Sequence, residues 1–276
     1  MERLLAVDGS NLLFQMFYGM PARIVNHEGK AIQGTLGFLG ALLKMIRMVC
    51  PTHVVVLFDG ECHNPRKDMD EAYKANRPDW EEETETPFDQ LPDIYGALDF
   101  LGIRHGETET CETDDWMAGY ADSWKAELVI ASFDSDFFQL ITERVYVLRY
   151  RGKNTVICTP ESIREKLGIK PEQYALFKSL TGDTADNIHG VKKVGPKTAA
   201  ALLSQFDAVE ELLSNAHWIE KPSVRESILC STERIRTNYA LIRLIGTEEL
   251  PFEAAELTFQ DSGFTTTQVM REIGLM

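Results

Sequence analysis

The chain has 276 residues and a formal net charge of −15, with 43 acidic side chains against 28 Lys and Arg. Hydrophobic residues make up 44% and charged residues 26%, which fits a globular chain of one or two lobes and excludes disorder, collagen and coiled coil as descriptions of the whole. The acidic balance argues against a protein that coats nucleic acid non-specifically, and no apolar run approaches the ~20 residues of a membrane helix.

About the first 150 residues alternate short apolar strands with helical patterns. HVVVLF (His53–Phe58) is apolar after its first residue, which is typical of a parallel strand buried on both faces. This alternation predicts an α/β fold with a mostly parallel central sheet. The predicted strands are Leu4–Val7, His53–Phe58, Glu127–Ser132, Val145–Leu148 and Thr155–Cys158, and the predicted helices are Gly34–Val49, Pro87–Leu101 and Glu112–Trp124.

From Pro160 onward the sequence pattern becomes mainly helical. We therefore expect an α/β lobe over residues 1–159 and a helical lobe over residues 160–276. In mostly parallel sheets, sites form beyond the carboxyl ends of the strands. The side chains that follow the predicted strands are therefore the first candidates for function.

Acidic residues stand at five separated places where such a site could form. Each alone also fits a turn or a helix cap, but five together favour a shared site. Asp134 and Asp136 are two residues apart, which would put both side chains on one side of an extended segment. Glu112 and Asp115 have the i, i+3 spacing of one helix face, and Asp183 and Asp186 have the same spacing. The candidates are Asp8, Asp59, Glu112, Asp114, Asp115, Asp134, Asp136, Asp183 and Asp186.

Convergence of these carboxylates would raise several of their pKa values strongly unless cations occupied the site. All-oxygen ligation selects hard ions, Mg²⁺ or Mn²⁺, over zinc. Two such ions about 3.5–4 Å apart form the usual clamp for in-line attack on a phosphodiester. The acidic residues therefore predict a two-metal site for a phosphate-bearing substrate.

The segment GVKKVGPKTAAALL (Gly190–Leu203) combines glycines and lysines in an acid-free stretch. It indicates a helix, a tight glycine-containing turn and a second helix, whose first backbone N–H groups would face a phosphate. A solvated helix hairpin is the alternative, but the lysines favour phosphate contact. The candidates for this contact are Gly190, Lys192, Lys193, Gly195, Lys197 and Thr198.

A second basic feature is RKDMDEAYKANRP (Arg66–Pro78). Tyr73 and Arg77 are four residues apart, so a helix would place them on one face, next to Lys74. An aromatic ring beside cations suits a single strand of nucleic acid, with bases stacked on Tyr73 and the cations on the backbone. An exposed amphipathic helix is the alternative.

In this order, the motifs resemble the 5′-nuclease (flap endonuclease) family. That family includes the N-terminal nuclease domain of bacterial DNA polymerase I and the stand-alone bacterial and phage 5′–3′ exonucleases. The resemblance covers about three quarters of the chain and is specific as a combination, although no single motif is. The motifs are VDGSN, FDG, YKANRP, ETDD, DSD, GDTADN and GVKKVGPKTA.

The resemblance implies a PIN-like α/β domain with a helical arch at about 60–95. It also implies a helix–three-turn–helix DNA-binding motif at about 183–205, inside the helical lobe. The positions that match the first metal site are Asp8, Asp59, Glu112 and Asp114. The positions that match the completion of that site or a second one are Asp115, Asp134, Asp136, Asp183 and Asp186.

The resemblance also assigns roles to basic residues. Lys74 and Arg77 match arch residues that contact the scissile phosphate, and with Asp8 and Asp59 they are the expected catalytic residues. The hairpin around residues 190–200 matches the element that grips duplex DNA, which in relatives holds a K⁺ ion through backbone carbonyls. The chain departs from the family at Gln15, where an Arg is common, and in RPDWEEE, where the polymerase I type often has RPPMP.

The function we expect is a metal-dependent, structure-specific 5′–3′ exonuclease or flap endonuclease. It would cut DNA near single-strand/duplex junctions in replication and repair, as a stand-alone, monomeric and cytoplasmic enzyme without membrane contact. Five cysteines without a CxxC pair agree with a reducing compartment. The alternatives are a weakly catalytic DNA-junction binder of the same fold and, from DSD after a strand, a phosphatase with an aspartyl nucleophile. The sequence leaves open the balance between flap endonuclease and 5′-exonuclease activity and the preference for RNA primers or DNA. It also leaves open whether the source is bacterial or phage.

Overall fold

The computed structural model describes residues 2–60, 65–76, 85–247 and 249–276. Within these ranges the main sheet consists of β1 (Arg3–Asp8), β2 (His53–Phe58), β3 (Arg104–Glu107), β4 (Glu127–Ala131), β5 (Val145–Arg149) and β6 (Val156–Cys158). Their order is β3-β2-β1-β4-β5-β6, and within this sheet, as far as the chain is described, β5–β6 is the antiparallel pair and the other pairs are parallel. The predicted mostly parallel α/β sheet is confirmed, and β3 is an additional edge strand.

The central strands divide their side chains between two cores. In β1, Leu4 and Ala6 belong to one buried cluster, whereas Leu5 and Val7 belong to the other. Successive residues of a strand project to opposite faces of a sheet, so a strand covered on both sides must be apolar throughout. This double burial is the physical reason for the continuous apolar run in β1.

The first lobe contains five helices in the described ranges. They are α1 (Gly9–Gly19), α2 (Gln33–Val49), α3 (Pro65–Met69), α4 (Leu91–Phe100) and α5 (Thr113–Ser123). α2 packs against both α1 and α4, which confirms the helix predicted from Gly34. The helix predicted from Pro87 begins with a 3₁₀ turn at Pro87–Gln90 and continues as α4. Because Ile94 is buried in the core, the end of the predicted arch belongs to the packed lobe.

The rest of the predicted arch differs from a continuous helix where it is described. α3 ends at Met69 and turns follow over residues 71–76. Asp70 closes the first turn, because its Oδ1 accepts the Ala72 N–H at 2.9 Å and its carbonyl accepts the Tyr73 N–H at 3.0 Å. The helix predicted to align Tyr73 with Arg77 is therefore wrong as far as residue 76. Arg77 itself lies outside the described residues.

The chain is mainly helical after residue 160, as predicted. The helices are α6 (Pro160–Leu167), α7 (Tyr174–Thr181), α8 (Pro196–Leu203), α9 (Val209–Ser214), α10 (Pro222–Leu229) and α11 (Thr232–Ile242). Two short strands, β7 (Gly182–Asp183) and β8 (Ile188–His189), form a hairpin between α7 and α8. The helix predicted immediately before the turn at residue 190 is therefore wrong, because the preceding helix is α7. In the described ranges no helix is long and apolar enough to cross a membrane.

The end of the chain returns to the first lobe. The Phe259 N–H donates to the Thr52 carbonyl at 2.8 Å, next to β2. Beyond it, α12 (Thr266–Glu272) packs against α2 and α4, and its Val269 and Met270 are buried there. The sequence analysis placed these residues in the helical lobe (160–276). Apolar residues of α12 nevertheless complete the core of the α/β lobe.

The strand register brings the candidate acids to one edge of the sheet. Val7 pairs with Val56 on one side and with Ala131 on the other. β1, β2 and β4 therefore end together, and the residues that follow them share the carboxyl edge. This alignment positions the candidate site.

Candidate active site

Asp8 stands at the end of β1 and also caps α1. Its Oδ1 accepts the Asn11 N–H at 2.9 Å, and its Oδ2 accepts the Ser132 hydroxyl at 2.8 Å. The residue is only 5% exposed. Burial, together with the negative charges of Asp59 and Asp134, raises the pKa of Asp8 to about 7.

Asp59 and Asp114 lie beside Asp8. Asp59 follows β2, and its Oδ1 accepts the Thr113 N–H at 2.9 Å, which fixes the start of α5. The next residue is Asp114. Burial and the charge of Asp134 raise the pKa of Asp114 well above its ordinary value, with further contributions from Asp59 and Asp8. We call Asp8, Asp59, Asp114 and Asp134 the inner cluster, because their charges act on one another.

Asp134 and Asp136 do not lie on an extended segment, so that expectation is wrong. The Asp134 N–H donates to Ser132 Oγ at 2.9 Å, and the Asp136 N–H donates to Asp134 Oδ1 at 2.8 Å. Asp136 then begins a 3₁₀ helix that ends at Leu140. The turn places Asp134 near Asp8 and Asp114, whereas Asp136 lies near the β7–β8 hairpin.

Asp136, Asp183 and Asp186 form a second group, the loop cluster. One carboxylate oxygen from each lies within 4.8 Å of the other two. Asp183 belongs to β7 and Asp186 to the turn before β8, so the predicted helix face is wrong for this pair. Burial, with the charges of Asp134 and then of the hairpin acids, raises the pKa of Asp136 to about 8. Lys178 opposes this shift and forms an ion pair with Asp183.

Glu112 and Asp115 lie in the same region but bind cationic side chains. Arg66 donates to Glu112 Oε2 at 2.6 Å and to the two oxygens of Asp115 at 3.1 and 2.7 Å. Lys74 forms an ion pair with Glu112, and both side chains are about one-tenth exposed. Arg66 and Lys74 therefore supply positive charge to two acids that the sequence analysis expected to bind metal ions.

Tyr73 packs in the protein interior. It is 4% exposed and contacts a small apolar cluster that includes Ile188 and Leu241, while its hydroxyl lies 3.5 Å from Glu112 Oε2. The predicted stacking of bases on this ring is wrong for this arrangement, because neither ring face is accessible. Tyr73 instead anchors the segment that carries Lys74.

The lysines of the predicted phosphate-binding hairpin face solvent. Lys192, Lys193 and Lys197 are exposed, as is Gly195, which precedes α8. The Val194 N–H donates to the Val191 carbonyl at 3.1 Å and closes the turn between them. Thr198 is half-buried in the first turn of α8. The lysines and the start of α8 therefore form one exposed basic surface, the hairpin surface.

Gly190 has a packing role that the sequence analysis did not assign. A Cβ at this position would lie 2.4 Å from the Thr181 carbonyl carbon and 2.6 Å from the Gly182 nitrogen. The two backbones approach so closely because the Val191 N–H donates to the Leu180 carbonyl at 2.8 Å. The lack of a side chain at Gly190 therefore allows the β7–β8 hairpin to pack against the end of α7.

Two functional candidates were missed in the sequence. Arg66 was part of a basic stretch without an assigned role, and its signal was an Arg eight residues before Lys74 in an otherwise acidic chain. Lys178 precedes the GDTADN motif by four residues, and helical periodicity alone would not aim it at Asp183. Both depend on contacts that only the folded chain defines.

Comparison with protein families decides what kind of protein has this site. The model for the N-terminal, resolvase-like domain of 5′-3′ exonucleases matches residues 3–168, and the model for their C-terminal SAM fold matches residues 169–263. This chain belongs to the 5′-3′ exonuclease family. It is thereby assigned to the nucleases, and the predicted resemblance is confirmed.

Several curated relatives of this chain are DNA polymerases. It is 35% identical over 257 residues to the thermostable DNA polymerase I of Thermus thermophilus, which covers 91% of the chain and 29% of the relative. It is 32% identical over 276 residues to the DNA polymerase I of Bacillus subtilis, which covers 98% of the chain and 30% of the relative. The chain thus spans less than a third of the length of these polymerases.

Solved structures share the fold at lower identity. A zinc-bound structure of T5 5′-exonuclease matches with a TM-score of 0.71 and 21% identity, over 87% of this chain and 89% of that one. The catalytic core of Rad2 in complex with a DNA substrate matches with a TM-score of 0.60 and 17% identity, over 99% and 87% of the two chains. These likenesses support the α/β fold with its helical lobe.

Proposed function

We propose that the chain is a structure-specific 5′ nuclease that hydrolyses DNA phosphodiesters near single-strand/duplex junctions. The observation that carries this proposal is the convergence of the inner cluster and the loop cluster at the carboxyl edge of the sheet. Family membership and the DNA and metal ions named for the similar structures support it. A role in DNA replication and repair, in the cytoplasm and as a monomer, is part of the proposal.

The donor atoms fit two hard divalent ions. All candidate ligands are carboxylate oxygens, which Mg²⁺ and Mn²⁺ prefer. Asp136 Oδ1 is buried and has no hydrogen-bond partner among the described residues, and burial, with repulsion between neighbouring acids, raises the pKa values of Asp8 and Asp136. We propose the inner cluster for one ion and the loop cluster, with Asp134, for the other. When bound, such ions activate water and stabilise the leaving oxygen.

Glu112 and Asp115 remain in the proposed ligand set, but they can bind an ion only if it replaces their present cationic partners. Their oxygens accept bonds from Arg66 and Lys74 in this structure, so ligation requires exchange of those bonds. Lys74 would then be released to stabilise negative charge on the scissile phosphate. We propose the same role for Arg77, which follows Lys74 by three residues.

The hairpin surface is the proposed site for duplex DNA. Lys192, Lys193 and Lys197 would contact phosphates, and the first N–H groups of α8 would add hydrogen bonds to a phosphate oxygen. We include a K⁺ ion bound by backbone carbonyls of the hairpin in the proposal, as the family resemblance suggests. Contacts to the backbone position DNA without reading its sequence, which agrees with recognition of a junction.

A cleavage panel tests the proposal. Flap, nicked, single-stranded and blunt duplex substrates would be incubated with Mg²⁺, with Mn²⁺ and with EDTA, and products mapped. We expect products with 5′-phosphate near the junction, dependent on the ion. Asp134→Asn and Asp183→Asn should abolish cleavage and retain most binding, whereas the control Asp99→Asn, at a side chain that is 78% exposed and bonded to His105, should cut normally.

The other outcomes of the panel identify the alternatives. Binding in every condition without any product would indicate a DNA-junction binder. Trapping of a phosphorylated Asp134 would indicate the phosphatase with an aspartyl nucleophile. Cleavage by Asp134→Asn or Asp183→Asn at near wild-type rate would contradict the proposed ion sites.

A further inference from the structure

Three hydrogen bonds connect the segment of Lys74 to the turn of the loop cluster. The Lys74 N–H donates to the Asp186 carbonyl at 3.1 Å. Asn187 Nδ2 donates to the Ala72 carbonyl at 2.9 Å, and Asn76 Nδ2 donates to the Thr184 carbonyl at 3.0 Å. Each segment therefore supplies an asparagine amide to the backbone of the other, and the backbone bond of Lys74 lies between them.

The two connected segments carry different parts of the proposed chemistry. Residues 72–76 present Lys74, whose ammonium group pairs with Glu112. Residues 183–187 present Asp183 and Asp186, both members of the loop cluster. A shift of one segment relative to the other would change the distance between the cation and these acids.

The backbone at the contact is held in an uncommon conformation. Lys74 has φ 56° and Asn187 has φ 59°, both in the left-handed region. Such values cost energy in residues other than glycine and persist where the surroundings hold them, although Asn tolerates them better than Lys does. The buried Tyr73 ring anchors the first segment against Ile188. The packing of Tyr73 attaches the two segments to each other, and the directional amide bonds define how they align.

We propose that Asn76 and Asn187 are positioning residues that couple the placement of Lys74 to the loop cluster. This inference rests on the proposed function and adds the means by which ion binding and cation placement affect each other. Ion binding that orders residues 183–187 will order residues 72–76 through the two amides. Because coupling between sites is reciprocal, loosening of residues 72–76 will weaken ion binding by the same factor.

The test uses the full chain without DNA. Isothermal titration calorimetry would measure Mn²⁺ affinity, and hydrogen exchange with mass spectrometry would follow the amides of residues 70–76 with and without Mn²⁺. The variants are Asn76→Ala and Asn187→Gly, since glycine keeps the left-handed φ and removes only the side chain. The control is Asn215→Ala, which removes an equivalent, solvent-exposed amide bond to the Glu211 carbonyl at the end of α9.

We expect Mn²⁺ to slow exchange at residues 70–76 in the wild type and in Asn215→Ala, but not in Asn76→Ala or Asn187→Gly. Mn²⁺ affinity should fall about fivefold for each of the two variants, the factor that one lost hydrogen bond gives. Asn76→Gln, which keeps the amide, should restore part of the affinity. In single-turnover cleavage of a flap, the maximal rate should fall while the DNA dissociation constant stays within twofold.

Unchanged Mn²⁺ affinity and unchanged exchange protection in both variants would overturn the inference. Absence of Mn²⁺ binding in the wild type would overturn it as well. If the wild type shows the coupling but cuts no substrate of the panel, the proposed nuclease function fails and the positioning role stands. Failure of each idea therefore has its own result.

Discussion

The guanidinium of Arg66 binds Asp115 through both carboxylate oxygens. Its two terminal nitrogens lie 3.1 and 2.7 Å from Asp115 Oδ2 and Oδ1, and one of them also lies 2.6 Å from Glu112 Oε2. Such bidentate bonds are among the strongest polar contacts in proteins. Because Arg66 is in α3 and the acids are at the start of α5, the contact attaches the chain before the Lys74 segment to the core of the α/β lobe.

Substitution of Arg66 should therefore destabilise the fold strongly. We expect Arg66→Gln to lower the free energy of unfolding by ~3 kcal/mol, because Asp115, which has little solvent exposure, loses its cationic partner and Glu112 keeps Lys74 but loses Arg66. Urea denaturation at neutral pH in EDTA would measure it. Arg236→Gln is the matched control, since Arg236 also binds two carboxylates, of Glu210 and Glu233, but in solvent, and it should change stability little. Equal effects of the two substitutions would contradict the importance of burial.

Asp136 should make the metal-free protein less stable as the pH rises. Its pKa is about 8 in the fold against 3.8 for the unfolded chain, so the folded state binds the extra proton. The stability that this group contributes is fully present below pH 3.8 and is lost as the pH rises through about 8.

Comparison with Asp136→Asn isolates that contribution. In EDTA, the free energy of unfolding of Asp136→Asn relative to the wild type should increase between pH 5 and pH 9. Mg²⁺ should shrink this difference, because a bound cation offsets the repulsion among the acids. Urea titrations at pH 5, 7 and 9 would measure both effects. Parallel pH profiles of the two proteins in EDTA would show that Asp136 does not have a raised pKa.

The acids at strand ends were predictable, and their cationic partners were not. Asp8, Asp59 and Asp134 each follow an apolar run, and the parallel register that brings such runs to one edge is a general property of α/β sheets. Arg66 and Asp115 are 49 residues apart, and no periodicity relates them. Their contact depends on how the chain after β2 turns back over α5.

Local geometry was misjudged where turns replace regular structure. The spacings of Asp134 with Asp136 and of Asp183 with Asp186 suggested a strand and a helix face, but side-chain-to-backbone bonds made both segments turns. The Ala185 N–H, for example, donates to Asp183 Oδ1 at 2.9 Å. Asp favours such turns through its own carboxylate. The edge strand β3 was missed because RHGE lacks apolar residues.

The lysines of the hairpin surface should control the salt dependence of DNA binding. If Lys193 and Lys197 each neutralise one phosphate, alanine at either should reduce the slope of log K against log salt by ~1. Binding of a nicked duplex in EDTA at several salt concentrations would measure the slope. Lys125→Ala is the control, because Lys125 is exposed just before β4, at the opposite edge of the sheet from the acids. An equal loss of slope in the control would contradict a localised interface.

The two glycines of the hairpin motif should respond differently to alanine. At Gly190 a Cβ would lie 2.4 Å from the Thr181 carbonyl carbon, which is backbone and cannot rotate away, whereas at Gly195 nothing lies within 4 Å of the added Cβ. Overpacking of this kind costs ~1–3 kcal/mol, and relief of it would shift β7 and with it Asp183. Gly190→Ala should therefore lower both the unfolding free energy and the Mn²⁺ affinity.

Gly195→Ala should leave both nearly unchanged, because α8 begins there with open space around the residue. Thermal unfolding in EDTA and Mn²⁺ calorimetry would measure the pair, and similar results for the two variants would show that the close approach of Gly190 to α7 does not hold the loop cluster.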